Sequence, residues 1–64
     1  MDSNRPNRSL LIIPALNEEA SIGDVIDRVR ETPLEIDVLI IDDGSRDRTA
    51  ALAREHGATV VSHP

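Results

Sequence analysis

Two short acidic clusters are the residues most able to do chemistry. Glu18-Glu19 follow Pro14-Ala15-Leu16-Asn17, and Asp42-Asp43 precede Gly44-Ser45. Neighbouring carboxylates repel unless they are solvated or put to use. Three uses are open to them. They can hold a divalent cation through oxygen ligands, accept hydrogen bonds from a nucleobase N–H or ribose hydroxyls, or supply a general base. The competing structural reading is that acids at a helix start favour the macrodipole and that Asp-Gly is ordinary turn material. Helix-start chemistry is the stronger reading for Glu19 and Asp47. The functional reading is stronger for Asp43, which ends a fully apolar run where ligands of open α/β sheets bind. His56 and His63 show no zinc-ligand spacing. His63, past the third apolar run, reads as a solvated surface residue.

These clusters are positioned by a regular alternation of elements. Leu10-Leu11-Ile12-Ile13 is a short continuous apolar run stopped by Pro14, the pattern of a parallel strand buried on both faces. Ser21 and Asp24 have the spacing of a capping box. Ile22, Val25, Ile26 and Val29 then form the i, i+3, i+4, i+7 stripe of an amphipathic helix, with Asp24 and Arg28 spaced to pair on its outer side. Thr32-Pro33 end that helix. Val38-Leu39-Ile40-Ile41 is a second buried-type strand. Asp47 or Ser45 can cap an Ala-rich second helix over about 48–56, and Gly57 suits its C-terminus. Thr59-Val60-Val61 is a third strand.

The order β-α-β-α-β with right-handed crossovers predicts a parallel sheet in the order 3-2-1. Residues 1–8 read as a flexible polar leader, and 9–64 as one incomplete domain. The two helices cannot cover both faces of such a sheet, and the first strand is left at a raw edge. This leads to the expectation that more chain follows and that the edge favours self-association. Four acids, Glu18, Glu19, Asp42 and Asp43, are expected to share the rim at the strands' carboxyl ends.

Composition narrows the partners. The 64 residues carry a net charge of −5, all seven basic residues are arginine, and Cys and aromatic residues are absent. An acidic chain without a basic stripe is a poor partner for nucleic acid or an anionic membrane surface. No apolar run approaches the ~20 residues that span a bilayer, and no signal-peptide core follows Met1. A cytoplasmic location is the default expectation. Without disulfides or aromatic side chains, the core must be built from Leu, Ile, Val and Ala.

LLIIPALNEEASIGDVI followed by VLIIDDGSRDRTAALA resembles the start of the family-2 glycosyltransferases, which have the GT-A fold, a Rossmann-like nucleotide-binding fold. The subgroup nearest in flavour includes the dolichyl- and polyprenyl-phosphate sugar transferases. The resemblance runs from Ser9 to the end, and it is two separate motifs at natural spacing that make it specific. It implies the nucleotide-sugar-binding half of an inverting enzyme that moves a sugar from a UDP- or GDP-linked donor to a lipid-phosphate, saccharide or other acceptor. Pro14, Ala15, Leu16 and Glu18 would line the nucleotide pocket, with Glu18 near the ribose or base. Asp43 would accept the base N–H and Ile41 would touch the base. Asp42, Gly44 and Ser45 would complete the nucleotide-binding set, Gly44 by allowing a tight turn, and Ser45, Asp47 and Thr49 would fix the loop and the helix start. Many relatives carry Tyr where this chain has Leu16, so ring stacking is replaced by aliphatic packing.

The resemblance also implies a Mg²⁺ or Mn²⁺ ion on the donor diphosphate, held by a D-x-D motif. This sequence has none. No catalytic residue is therefore expected within the 64 residues. The alternative is a truncated, catalytically inert α/β unit. Other nucleotide and phosphate folds fail on spacing. A dehalogenase-type D-x-D-G is broken by Ile41, a receiver domain needs acids where Pro14-Ala15 stand, and Gly44 is isolated where a dinucleotide fold needs G-x-G-x-x-G. Sugar nucleotidyltransferases need a Gly-rich loop after strand 1.

Overall fold

The computed structural model describes residues 8–63. In chain order they form β1 (Arg8–Ala15), α1 (Ile22–Arg30), β2 (Glu35–Asp42), α2 (Thr49–Glu55) and β3 (Thr59–Ser62). The three strands are parallel in the order β1-β2-β3, the arrangement expected from right-handed crossovers. Register is continuous, with Leu11 opposite Val38, Ile13 opposite Ile40 and Ala15 opposite Asp42. On the other side of β2, Ile40 faces Val60 and Asp42 faces Ser62. The chain is thus the three-stranded α/β unit that the pattern predicts. The leader assigned to 1–8 lies outside the described residues except for Arg8, which already belongs to β1.

Successive crossovers of one hand, stepping in one direction, put both helices on the same side of the sheet. The core follows from this. Ala15, Val38 and Ile40 from the strands pack with Ile22 and Ile26 of α1, with Ala53 of α2 and with Ala58, and Ile13, Val29, Leu52 and Val60 close around them. Side chains of the opposite parity face away. Leu10 is 61% exposed and Ile12 55%, and Leu39 and Ile41 are half-buried. The expectation of strands buried on both faces is therefore corrected. Their apolar runs are continuous, but within these residues only the helix side is covered.

The helix signals hold with two changes. Ile22 and Ile26 are buried and Val29 half-buried, while Val25 turns outward. Ser21 precedes α1 but makes no capping hydrogen bond. Its hydroxyl instead donates to Glu18 Oε1 at 3.4 Å, because the entry turn is already closed by the Ser21 and Ile22 N–H groups donating to Glu18 O. Asp24 and Arg28 pair at 3.1 Å on the exposed side.

At the end of α2, Gly57 takes φ +93°. Its N–H donates to Arg54 O and that of Ala58 to Ala53 O, a Schellman closure that a left-handed residue permits. Arg30 of α1 caps the same turn, donating to His56 O at 3.1 Å and Gly57 O at 2.6 Å. His56 Nδ1 lies 2.8 Å from Asp27 Oδ1, over Gly23, where a Cβ would meet the imidazole at 2.6 Å. The two helices are therefore joined by polar contacts around a small residue.

Candidate nucleotide-binding rim

The carboxyl ends of all three strands meet at one rim. The Asp43 N–H donates to Ala15 O at 3.0 Å, tying the end of β2 to that of β1, and the His63 N–H donates to Asp42 O at 3.1 Å, tying in β3. The loop after β1 and the loop after β2 are then interlocked by hydrogen bonds between their motif residues. Asn17, in the left-handed region at φ +54°, donates its N–H to Ser45 Oγ at 2.9 Å and accepts the Arg46 N–H on Oδ1 at 2.9 Å. Asparagine tolerates this backbone better than most residues. The Glu18 N–H donates to Thr49 Oγ1 at 2.7 Å. The Glu19 N–H donates to Asp47 Oδ2 at 3.2 Å, and Glu19 Oε1 accepts the Arg48 N–H at 3.1 Å.

Thr49 is the pivot of this clasp. It is fully buried, and its hydroxyl donates to Asp47 Oδ1 in a short hydrogen bond while accepting from Glu18. Asp47 Oδ1 also accepts the Thr49 N–H at 2.9 Å, so it satisfies the first turn of α2 from one residue before the cap position, which Arg48 occupies. These hydrogen bonds hold the Asp47 carboxyl below its ordinary range, those from Thr49 most of all.

The four acids do not act alike. Glu18 and Asp43 line an open cleft of about 280 Å³ together with Pro14, Ala15 and Leu16. Glu19 turns aside to Arg48, the helix-start role expected of it. Asp42, expected at the rim, is only 4% exposed and points into the fold. It accepts the Ser45 N–H at 3.1 Å and the Ser62 hydroxyl at 3.2 Å. This corrects the picture of four acids at one edge: β2 alternates, so adjacent Asp42 and Asp43 cannot face the same way. Gly44 takes φ +84° and lets the chain turn between Asp43 and Ser45. Ser45 is spent on the clasp. Ile41 sits opposite Pro14 on the uncovered face.

Hydrogen bonding by Ser45 holds the Asp42 carboxyl below its ordinary range, against the opposing effect of burial. A carboxyl whose folded value is depressed contributes stability that is present above its unfolded value of 3.8 and is lost as pH falls through the folded value. Melting temperature is therefore expected to fall below about pH 4, and Asp42→Asn to flatten that acid limb. Equal slopes for the two proteins in a pH series of thermal melts would contradict this role.

Two further placements were not legible in the residues. His63 is exposed, yet its Nδ1 lies 3.5 Å from Asp43 Oδ1. The signal available was position, since the first residue past a parallel strand falls on the ligand rim. Asn17 likewise carries no sign in the residues of its double link to the second loop. Among the described residues, no group of three or more His, Cys, Asp or Glu side chains could hold a metal ion. A second hollow of about 240 Å³ lies at the opposite end, lined by Val29, Arg30, Leu34, Glu35, Ile36 and Asp37. It is remote from the strands' carboxyl ends. No helix among the described residues is long and apolar enough to cross a membrane.

Known proteins are similar to this chain in sequence and fold. The chain is 47% identical over 51 residues to a 4,4'-diaponeurosporenoate glycosyltransferase of Staphylococcus aureus (strain MRSA252), a match covering 80% of this chain and 14% of that protein. It is similar to the crystal structure of glucosyl-3-phosphoglycerate synthase from Mycobacterium tuberculosis in complex with Mn²⁺, UDP-glucose and glycerol 3-phosphate. There the TM-score is 0.71 and the identity 41%, covering 88% of this chain and 21% of that one. A second mycobacterial protein aligns with a TM-score of 0.72 at 38% identity, covering 88% of this chain and 19% of that one. The chain thus spans about a seventh to a fifth of the length of the relatives it matches. The model of glycosyl transferase family 2 matches residues 10–64, with both motif loops inside the match, and the chain belongs to that family.

Proposed function

We propose that this chain forms the nucleoside-binding side of the donor site in an inverting family-2 glycosyltransferase that uses a UDP-sugar. The observation that carries the reading is the cleft between the two interlocked loops, which Asp43 and Glu18 line together with Pro14, Ala15 and Leu16. A carboxylate suits the ring N–H of an imide base, because that N–H is donor-only. A second carboxylate suits ribose hydroxyls, and Leu16, 50% exposed, offers an apolar surface to the base. Asp42, Gly44 and Ser45 shape the loop that presents Asp43, and Ile41 borders it from β2. The M. tuberculosis relative, crystallised with UDP and with Mn²⁺ or Mg²⁺, supports both the choice of base and a cation requirement.

The reaction would be a single displacement at the anomeric carbon, with the nucleoside diphosphate leaving. This chain's residues would bind and orient the nucleoside end. A divalent cation would stabilise the leaving diphosphate, and none of the described residues is assigned to hold it. The acceptor class stays as broad as a lipid phosphate, a saccharide or another hydroxyl compound.

Calorimetric titration of the full-length protein with UDP, in the presence and absence of Mn²⁺, tests the reading. Saturable UDP binding that tightens with Mn²⁺ is the expected result. No heat of binding under either condition would leave the inert α/β unit as the better description.

A further inference from the structure

We infer that His63 makes the nucleotide site selective for uridine over guanosine by occupying one oxygen of Asp43. The inference rests on Asp43 being the acceptor for the base. His63 comes from the end of β3, and its backbone is anchored at the rim by its N–H donating to Asp42 O at 3.1 Å. From there the imidazole Nδ1 stands 3.5 Å from Asp43 Oδ1, with both side chains more than half exposed. That distance is longer than a hydrogen bond, and a modest rotation of two solvated side chains closes it to one, with Nδ1–H donating to Oδ1. Oδ2 is then the oxygen left for a ligand.

The two candidate bases place different demands on that carboxylate. Guanine presents two adjacent donors, the ring N1–H and the exocyclic amino group, which match both oxygens of a free carboxylate in a forked pair. Uracil presents a single ring N–H flanked by two carbonyl oxygens. It needs one acceptor, and a second bare carboxylate oxygen would stand against a carbonyl. An Asp43 engaged by His63 offers the single acceptor, and the imidazole N–H screens the other oxygen from the uracil carbonyl. Guanine loses one of its two hydrogen bonds at the same carboxylate, leaving a polar group unpaired, which is the kind of mismatch that discriminates strongly between ligands.

The test is a set of UDP and GDP titrations on the full-length protein and three variants. The unmodified protein is expected to prefer UDP. His63→Ala is expected to shrink the UDP-to-GDP preference by about tenfold, through a gain for GDP, the size of one hydrogen bond to a charged group. His63→Gln, which keeps an N–H within reach of Asp43, is expected to retain the preference. An unchanged ratio in His63→Ala, or an equal loss for both nucleotides, would overturn the role of His63. Asp43→Ala separates the two levels of the argument. If it weakens UDP while His63→Ala leaves the ratio intact, only this inference fails. If it leaves UDP affinity unchanged, the assignment of Asp43 fails and takes this inference with it.

Discussion

Replacing Asp43 by Ala in the full-length protein is expected to weaken UDP binding by about 10- to 100-fold while leaving the fold intact. A hydrogen bond to a charged group contributes roughly 1.5–3 kcal/mol, and about 1.4 kcal/mol is a factor of ten in affinity. Asp43 is exposed, and its side chain has no fold-building partner besides the 3.5 Å contact with His63. Its structural work is done by the backbone N–H on Ala15 O, which alanine keeps. Stability should therefore stay within about 0.5 kcal/mol, as for other exposed substitutions. Asp42→Ala makes the contrasting control, because that neighbour holds Ser45 and Ser62 and its loss acts through the fold. Calorimetry beside a thermal melt reads both quantities. Undiminished UDP affinity in Asp43→Ala removes it from the site, and a large fall in melting temperature means that its role is structural.

The second large effect is expected in the core. Ile40→Ala should cost about 3 kcal/mol, within the range for truncating a buried isoleucine, and lower the melting temperature of this unit by about 10 °C or more. Ile40 is fully buried in the central strand, flanked by Ile13 on β1 and Val60 on β3, beneath both helices. No aromatic side chain is available to fill the void. Units of this size hold only about 3–5 kcal/mol in all, so one such cavity removes most of it. UDP affinity should fall together with the fold, unlike the Asp43 variant. A melt within about 2 °C of the unmodified protein would show that Ile40 is not the centre of packing.

The order of elements was legible in the residues because it depends on local periodicity and on punctuation by Pro33, Gly44 and Gly57; Pro14 does not stop the first strand as expected, since β1 runs through it to Ala15. The parallel order β1-β2-β3 then followed from crossover handedness, which leaves few choices for β-α-β-α-β. The two motif loops could be placed on one rim for the same reason, and the family resemblance rested on their spacing.

The sequence could not say which way each polar side chain would turn. Asp42 and Asp43 are neighbours, and both were expected at the rim. Only the pleat of β2 and the clasp around Thr49 separate Asp43, facing the cleft, from Asp42, buried against Ser45 and Ser62. Likewise, an apolar run has the same letters whether one face or two are covered. The placement of both helices on one side decided that Leu10 and Ile12 lie open while Ile13 and Ile40 are packed. His63 stood 20 residues from Asp43 in the chain, and only the parallel register of β2 with β3 brought them to 3.5 Å. Local pattern fixes elements because it depends on neighbours in the chain. Facing and pairing depend on neighbours in space, and these exist only once the sheet has formed.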